Sequence, residues 1–263
     1  MRFCNRTRRW VHCVSILRIY KVRIMRKKET EYKYFEVAEE NLSRWNVSPA
    51  DAITIQKKLA SQVKLCQLPH RIQWVAAADV SYSRESDKLF AAVVLCHLPD
   101  LSVHERLAAS AKITFPYIPG LLSFRETPLI IELCNRLKRK PEIILCDGQG
   151  IAHTRRFGLA CHIGLILNLP SIGCAKTKLV GDHKEVGPRK GQYQSLYYRK
   201  ERVGVALRTR TGVKPIYVSP GHLADIPSSI RLVLRCCNSY RIPEPIRQAH
   251  LLANRVRTDV ESS

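Results

Sequence analysis

The chain has 263 residues, 45% of them hydrophobic and 25% charged, enough apolar material for one sizeable core and too much for a disordered chain. No run of about 18 apolar residues occurs, so no membrane span is expected. Lysine and arginine number 44 against 22 acids, a net charge of +22, and the natural partner of such a chain is a polyanion whose counterions are released on binding.

The charge is uneven. Residues 1–28 carry ten basic side chains and no acid, which leaves +12 on the remainder, so the body is basic in its own right. Residues 1–45 read as a basic N-terminal extension, and the domain proper runs from 46 to 258. Three origins fit the extension: a nucleic-acid tail, an Arg-rich transit peptide, or a start assigned too early with Met25 as the true one. The last is preferred. Ten cysteines include no C-x-x-C pair, and Cys96, Cys134, Cys146, Cys161 and Cys174 lie within apolar runs. They read as small buried hydrophobes in a reducing, cytoplasmic setting rather than as a zinc or disulfide framework.

From Ser48 the chain becomes regular. Ser48 and Pro49 are a helix cap and first helical residue, followed by apolar residues at helical spacing. Three strand-like runs follow, Ile72–Val80, Phe90–Leu98 and Val103–Thr114, joined by short polar links as in an antiparallel meander. The Pro/Gly-rich "TFPYIPGLLSF" is a loop leading into a helix from about Thr127 to Lys138. "EIILCD" is a short, continuously apolar strand of the kind buried on both faces. A loop, a helix over Arg155–Asn168 and the strand "SIGCA" complete a parallel crossover unit. Residues 181–194 are a polar surface excursion. Strands Val203–Thr209 and Ile216–Ser219 and helices near Pro227–Asn238 and Pro245–Arg255 close the chain. This is an α/β fold with a mixed sheet and helices on both faces, in which ligands gather at the carboxyl ends of strands.

Asp79 ends the first core strand and Asp147 the central one. Two such carboxylates side by side repel unless a cation neutralises them, and hard divalent ions take that donor set. Asp147-Gly148 is equally a turn dipeptide. Glu126 stands just before the Pro128 helix, where a carboxylate also suits the helix dipole. His222 follows a Pro-Gly turn, a common place for a surface or capping histidine; near a metal it can hydrogen-bond water or phosphate. Lys176 follows "SIGCA", at the position to reach a phosphate or to stay solvated. Tyr117, between Pro116 and Pro119 on a stiff loop, either stacks on bases or folds onto the core.

Across residues 50–256 the sequence resembles the endonuclease V family. The resemblance is carried by "ADVSY", "PYIPGLLSFRE", "CDGQGIAHTRRFGLACHIG", "SIGCAKTKLVG", "ALRTRTGVKPIYVSPGH" and "YRIPEPIRQAH". It implies a ribonuclease H-like fold and Asp79, Glu126 and Asp147 as metal-binding carboxylates. It implies His222 as an active-site partner, Lys176 as a phosphate contact and Pro116, Tyr117, Ile118 and Pro119 as a strand-separating wedge. It further implies a pocket for a flipped hypoxanthine, lined by Leu122, Gly148, Gly158, Gly173 and Leu179. The expected activity is Mg²⁺-dependent repair cleavage of DNA, with Mn²⁺ as a substitute, at the second phosphodiester 3′ to deoxyinosine, leaving a 3′-hydroxyl and a 5′-phosphate. A monomer is expected. "SPGH" and "LRTRTGVKP" look closer to bacterial members, which favours DNA over the rival substrate, inosine-containing RNA. A non-catalytic inosine-binding protein is the rival of another class, and the three carboxylates speak against it. The extension has no counterpart among these motifs.

Overall fold

The computed structural model describes residues 22–27, 30–37, 42 and 45–262. The basic run before residue 22 lies outside the described residues. Among the described residues ten strands form one sheet: β1 (Val22–Lys27), β2 (Thr30–Glu36), β3 (Trp74–Tyr82), β4 (Lys88–His97), β5 (Ser102–Lys112), β6 (Ile143–Cys146), β7 (Ser171–Ala175), β8 (Tyr193–Tyr198), β9 (Glu201–Leu207) and β10 (Ile216–Pro220). Their order across the sheet is β1-β2-β5-β4-β3-β6-β7-β10-β9-β8. The β3-β4-β5 meander is antiparallel, and β3-β6-β7 run parallel.

Among the described residues five longer helices accompany the sheet: α1 (Pro49–Ala60), α2 (Leu122–Asn135), α3 (Leu159–Leu167), α4 (Ile226–Arg235) and α5 (Glu244–Glu261). Period-2 alternation in the strands divides the interior in two. Phe90, Ala92 and Val94 of β4 share one core with Val233 of α4 and Ile246, Ala249 and Val256 of α5. Leu89, Ala91, Val93 and Leu95 share the other with Leu129, Ile130 and Leu133 of α2 and Ile163 of α3. Each large side chain so buried contributes about 1.5–3 kcal/mol. This is a mixed α/β fold with helices on both faces, as the sequence suggests.

Several boundaries differ from the sequence reading. The segment before residue 46 does not stand apart: β2 pairs in parallel with β5, Tyr32 and Tyr34 enter one core, and Phe35, Val37 and Leu42 enter the other. The Tyr34 hydroxyl bonds Ser110 Oγ at 2.6 Å. Helix α2 begins at Leu122, a turn earlier than expected, so Pro128 lies inside it and has no N–H to offer the Phe124 carbonyl. Helix α3 begins only at Leu159, because Arg156 takes a left-handed φ of 58° and Gly158 is bonded back to Gly150. Strand β8 falls partly in the stretch read as a surface excursion. It is an edge strand with one fully buried side chain, Leu196, and gives little apolar pattern. No helix among the described residues is long and apolar enough to cross a membrane.

Candidate active site

The parallel pairing of β3 with β6 sets the centre of the site. Ala78 is in register with Cys146, and the Asp147 amide continues the ladder to the Ala78 carbonyl at 3.3 Å. Asp79 and Asp147 therefore follow one another's strands side by side. Asp79 lies within β3, which runs on to Tyr82, rather than at its end. Asp147 Oδ2 accepts from Lys176 Nζ at 2.5 Å, just past the end of β7. Burial pushes the Asp147 carboxyl up, the Asp79 charge adds to this, and Lys176 opposes it.

The third partner comes from α5. His250 Nδ1 lies 2.6 Å from Asp79 Oδ2. One ligand atom from each of Asp79, Asp147 and His250 falls within 4.8 Å of the others, the spacing of a cation site. The hydrogen bond to Asp79 raises the His250 pKa. Glu126, in the second turn of α2, stands behind this cluster. It is 6% exposed, and Tyr82 Oη donates to its Oε1 at 2.7 Å. Burial first, then the charges of Asp79 and Asp147, push its pKa up to about 8, against the Tyr82 hydrogen bond, which lowers it. A buried acid raised by two neighbouring acids is a group that a cation would ionise. The donor set of carboxylates with one imidazole fits a divalent metal ion.

His222 is not at this cluster. Its amide donates to Ser171 Oγ at 2.8 Å, and its Nδ1 accepts from the Lys64 amide at 3.2 Å. It is 4% exposed and ties the loop after α1 to the end of β10. His222, expected beside the carboxylates, is not brought to them: β10 runs antiparallel to β7 and carries it toward Ser171 at the other end of the sheet, while α5 brings His250 to Asp79. His250 closes the motif "YRIPEPIRQAH". Its signal was available on α5, where His250 borders the apolar stripe of Ile246, Ala249 and Ala253.

A cavity of about 480 Å³ opens beside the carboxylates. One wall is Tyr117, Ile118, Pro119, Gly120 and Leu122; the other includes Asp147, Gly148, Gln149, Gly158, Lys176 and Leu179. Tyr117 is 70% exposed at the mouth, which answers whether it folds onto the core. Pro116 is exposed and outside the lining; Gly173, expected in the pocket, is buried and also outside the lining. Gly173 instead backs the turn: a Cβ there would meet the Gly148 carbonyl oxygen and Gly150 nitrogen at 2.5 Å. Its lack of a side chain lets residues 148–150 cross β7.

A sequence model of the family described as Endonuclease V matches residues 57–251. The chain belongs to the endonuclease V family. Endonuclease V of Gloeobacter violaceus is 48% identical over 216 residues, 81% of this chain and 88% of that protein. The crystal structure of endonuclease V from Streptomyces avermitilis has a TM-score of 0.80 and 36% identity, covering 83% of this chain and 97% of that one. Endonuclease V of Ciona intestinalis, in complex with a 24mer DNA containing an inosine followed by a ribo-adenosine, shares the fold at a TM-score of 0.70 and 24% identity, covering 84% of this chain and 100% of that one. Membership in the endonuclease V family makes this chain a phosphodiester hydrolase with a ribonuclease H-like fold.

Proposed function

We propose that this member of the endonuclease V family cuts DNA at the second phosphodiester 3′ to deoxyinosine, in a divalent-metal-dependent repair reaction that leaves a 3′-hydroxyl and a 5′-phosphate. The observation that carries the proposal is that Asp147 and Lys176 belong both to the carboxylate cluster and to the cavity wall. A base held in the cavity therefore has its own backbone next to the metal-binding edge. The Ciona relative's inosine-containing DNA supports the same class of ligand here.

Each residue has a part. Tyr117 fills the gap left by the extruded base, held stiff by Pro116 and Pro119 on a turn with Ile118. Leu122 and Leu179 offer apolar faces to the flipped ring. Gly148 and Gly158, without side chains, let backbone groups come close to its edge, and Gly173 supports them from behind. Asp79, Asp147 and Glu126 would hold Mg²⁺ or Mn²⁺, and His250 is hydrogen-bonded to Asp79 beside them. Bound there, the cation supplies Lewis-acid stabilisation of phosphate charge and lowers the pKa of water. Lys176 adds a fixed positive charge at the same edge, and its bond to Asp147 orients that carboxylate. His250 holds a proton against Asp79, positioned for exchange with water at the phosphate.

The test is cleavage of matched oligonucleotides carrying one deoxyinosine in DNA or one inosine in RNA, with Mg²⁺ or Mn²⁺. The proposal expects metal-dependent cutting of the DNA. Cutting confined to the RNA assigns the rival substrate, and binding of either without cutting contradicts an enzyme.

A further inference from the structure

Gln56 is an anomaly on α1. Its side chain is fully buried at 0% exposure, between Ile55 and Lys57 in sequence, where an aliphatic residue would pack without cost. A buried primary amide is tolerated only when its donors and acceptor are all used. They are used, but on two loops rather than on its own helix. Gln56 Nε2 donates to the Gly120 carbonyl at 3.1 Å and to the Phe157 carbonyl at 2.7 Å. Its Oε1 accepts from Arg155 Nε, and Arg155 Nη2 donates to the same Gly120 carbonyl at 2.7 Å.

The two loops are the two walls of the base cavity. Gly120 closes the wedge turn on one side, and Phe157 precedes Gly158 on the other. The wedge turn has little to hold it from within: its own backbone bond is Leu121 N to Ile118 O at 2.9 Å. Gly120 sits at φ +80°, and a Cβ there would press on Arg155 Nη2 at 2.8 Å, so the guanidinium occupies the space that only glycine leaves. One amide and one guanidinium, with the His153 ring also bonded to the Gly120 backbone, thus span the distance between walls that no regular secondary structure fixes.

We infer that Gln56 and Arg155 are positioning residues that set the width of the cavity by bridging Gly120 and Phe157, and through that width set the preference for a purine-sized base over a smaller one. The inference rests on the reading of the cavity as a base pocket. Neither residue touches the reacting atoms. Loosening the bridge weakens capture of the base and relaxes the penalty on a base that fills the slot poorly, and it leaves the metal-binding edge intact.

The experiment uses the full chain and the variants Gln56→Met, Arg155→Ala and Arg155→Lys. Single-turnover cleavage is followed against enzyme concentration on oligonucleotides carrying deoxyinosine or deoxyuridine, and Mn²⁺ affinity is measured separately by electron paramagnetic resonance. Gln56→Met and Arg155→Ala are expected to raise the half-saturating concentration for deoxyinosine about tenfold and to narrow its advantage over deoxyuridine, with Mn²⁺ affinity unchanged. Arg155→Lys, which keeps one donor, recovers part of the loss. Unchanged half-saturation and base preference in folded variants overturn the inference, even where thermal stability falls. An equal loss of Mn²⁺ affinity does so too. If Gln56→Met does not fold, the half-buried Arg155 positions decide. Wild-type protein that does not prefer deoxyinosine overturns the base-pocket reading itself, which separates that failure from this one.

Discussion

His250 Nδ1 stands 2.6 Å from Asp79 Oδ2, joining the second turn of the last helix to the middle of the first core strand. His222, a histidine that looks equally eligible in the sequence, makes its hydrogen bonds to Ser171 and Lys64 instead. The two therefore separate by experiment. His250→Ala is expected to lower the single-turnover cleavage rate by about 10²–10⁴-fold, the range for a positioned proton-transfer group. His222→Ala is expected to leave that rate nearly unchanged and to cost about 1 kcal/mol of stability, because it removes the part-buried hydrogen bond from the Lys64 amide. Rates and thermal melts of the two variants check both halves. The reverse order of rate losses would return the role to His222.

Asp147→Asn removes a charge from beside Asp79 while keeping the shape. Cleavage is expected to vanish and binding to inosine-containing DNA to persist. The variant should also lose the rise in melting temperature that Mn²⁺ gives the parent, since a ligand that binds only the native state adds about 2.7 kcal/mol at a hundredfold excess over its Kd. In the absence of metal its stability should equal or exceed the parent's, because Asp147 is half-buried and repelled by Asp79. Melting curves with and without Mn²⁺ read this directly. A metal-dependent rise that survives the substitution contradicts the assignment.

Tyr117→Ala should hurt duplex substrates more than single strands. Extruding a base from a duplex costs a few kcal/mol, and an aromatic filling the gap returns roughly 1–3 kcal/mol. At about tenfold per 1.4 kcal/mol, the duplex rate falls by up to two orders of magnitude when flipping is limiting. The cut should not move, since the carboxylates are untouched. Equal losses on an oligonucleotide alone and annealed would remove the wedge role.

The fold and most of the site are legible in the sequence for identifiable reasons. The apolar runs ending near Asp79 and Asp147 are buried on both faces, so their strands announce themselves, and parallel register then sets the two acids side by side. The missed pieces lack such patterns. Strand β8 is an edge. In β2, Tyr32 and Tyr34 alternate with Glu31 and Lys33, but this short charged stretch directly follows the basic run of residues 1–28 and has no apolar run to set it apart. His250 reaches Asp79 only because α5 packs across β3 and β4, a tertiary fact with no local trace. Gln56 reads as a surface glutamine until its partners, 64 and 101 residues away, are seen.

Stability should fall in acid through His162. It is 2% exposed, surrounded by the rings of Phe124, Phe157 and Trp45, and its Nδ1 has no partner among the described residues. Burial pushes its pKa down to about 3. Between the unfolded value near 6.5 and that low value, the unfolded chain binds a proton that the native chain refuses. The stabilisation is complete above about pH 6.5 and is lost as pH falls, by about 1.4 kcal/mol per unit. His153, lowered to about 4 by burial and by Arg155, adds to the slope with the same sign. His162→Leu should make the fall between pH 6 and pH 4.5 shallower without abolishing it. Denaturant unfolding at a series of pH values measures the slopes, and identical slopes would mean that His162 titrates normally in the native protein.

The most direct test places a single deoxyinosine at successive positions in an otherwise constant, end-labelled DNA and maps the cut at nucleotide resolution with Mg²⁺ or Mn²⁺ present. If the cavity beside Asp147 holds the base while the carboxylate edge cleaves its backbone, the cut moves one nucleotide for each nucleotide the deoxyinosine moves. It stays at the second phosphodiester on the 3′ side and disappears with chelation of the metal. A cut that stays in place while the deoxyinosine moves, or that appears equally in the adenine control, contradicts the account.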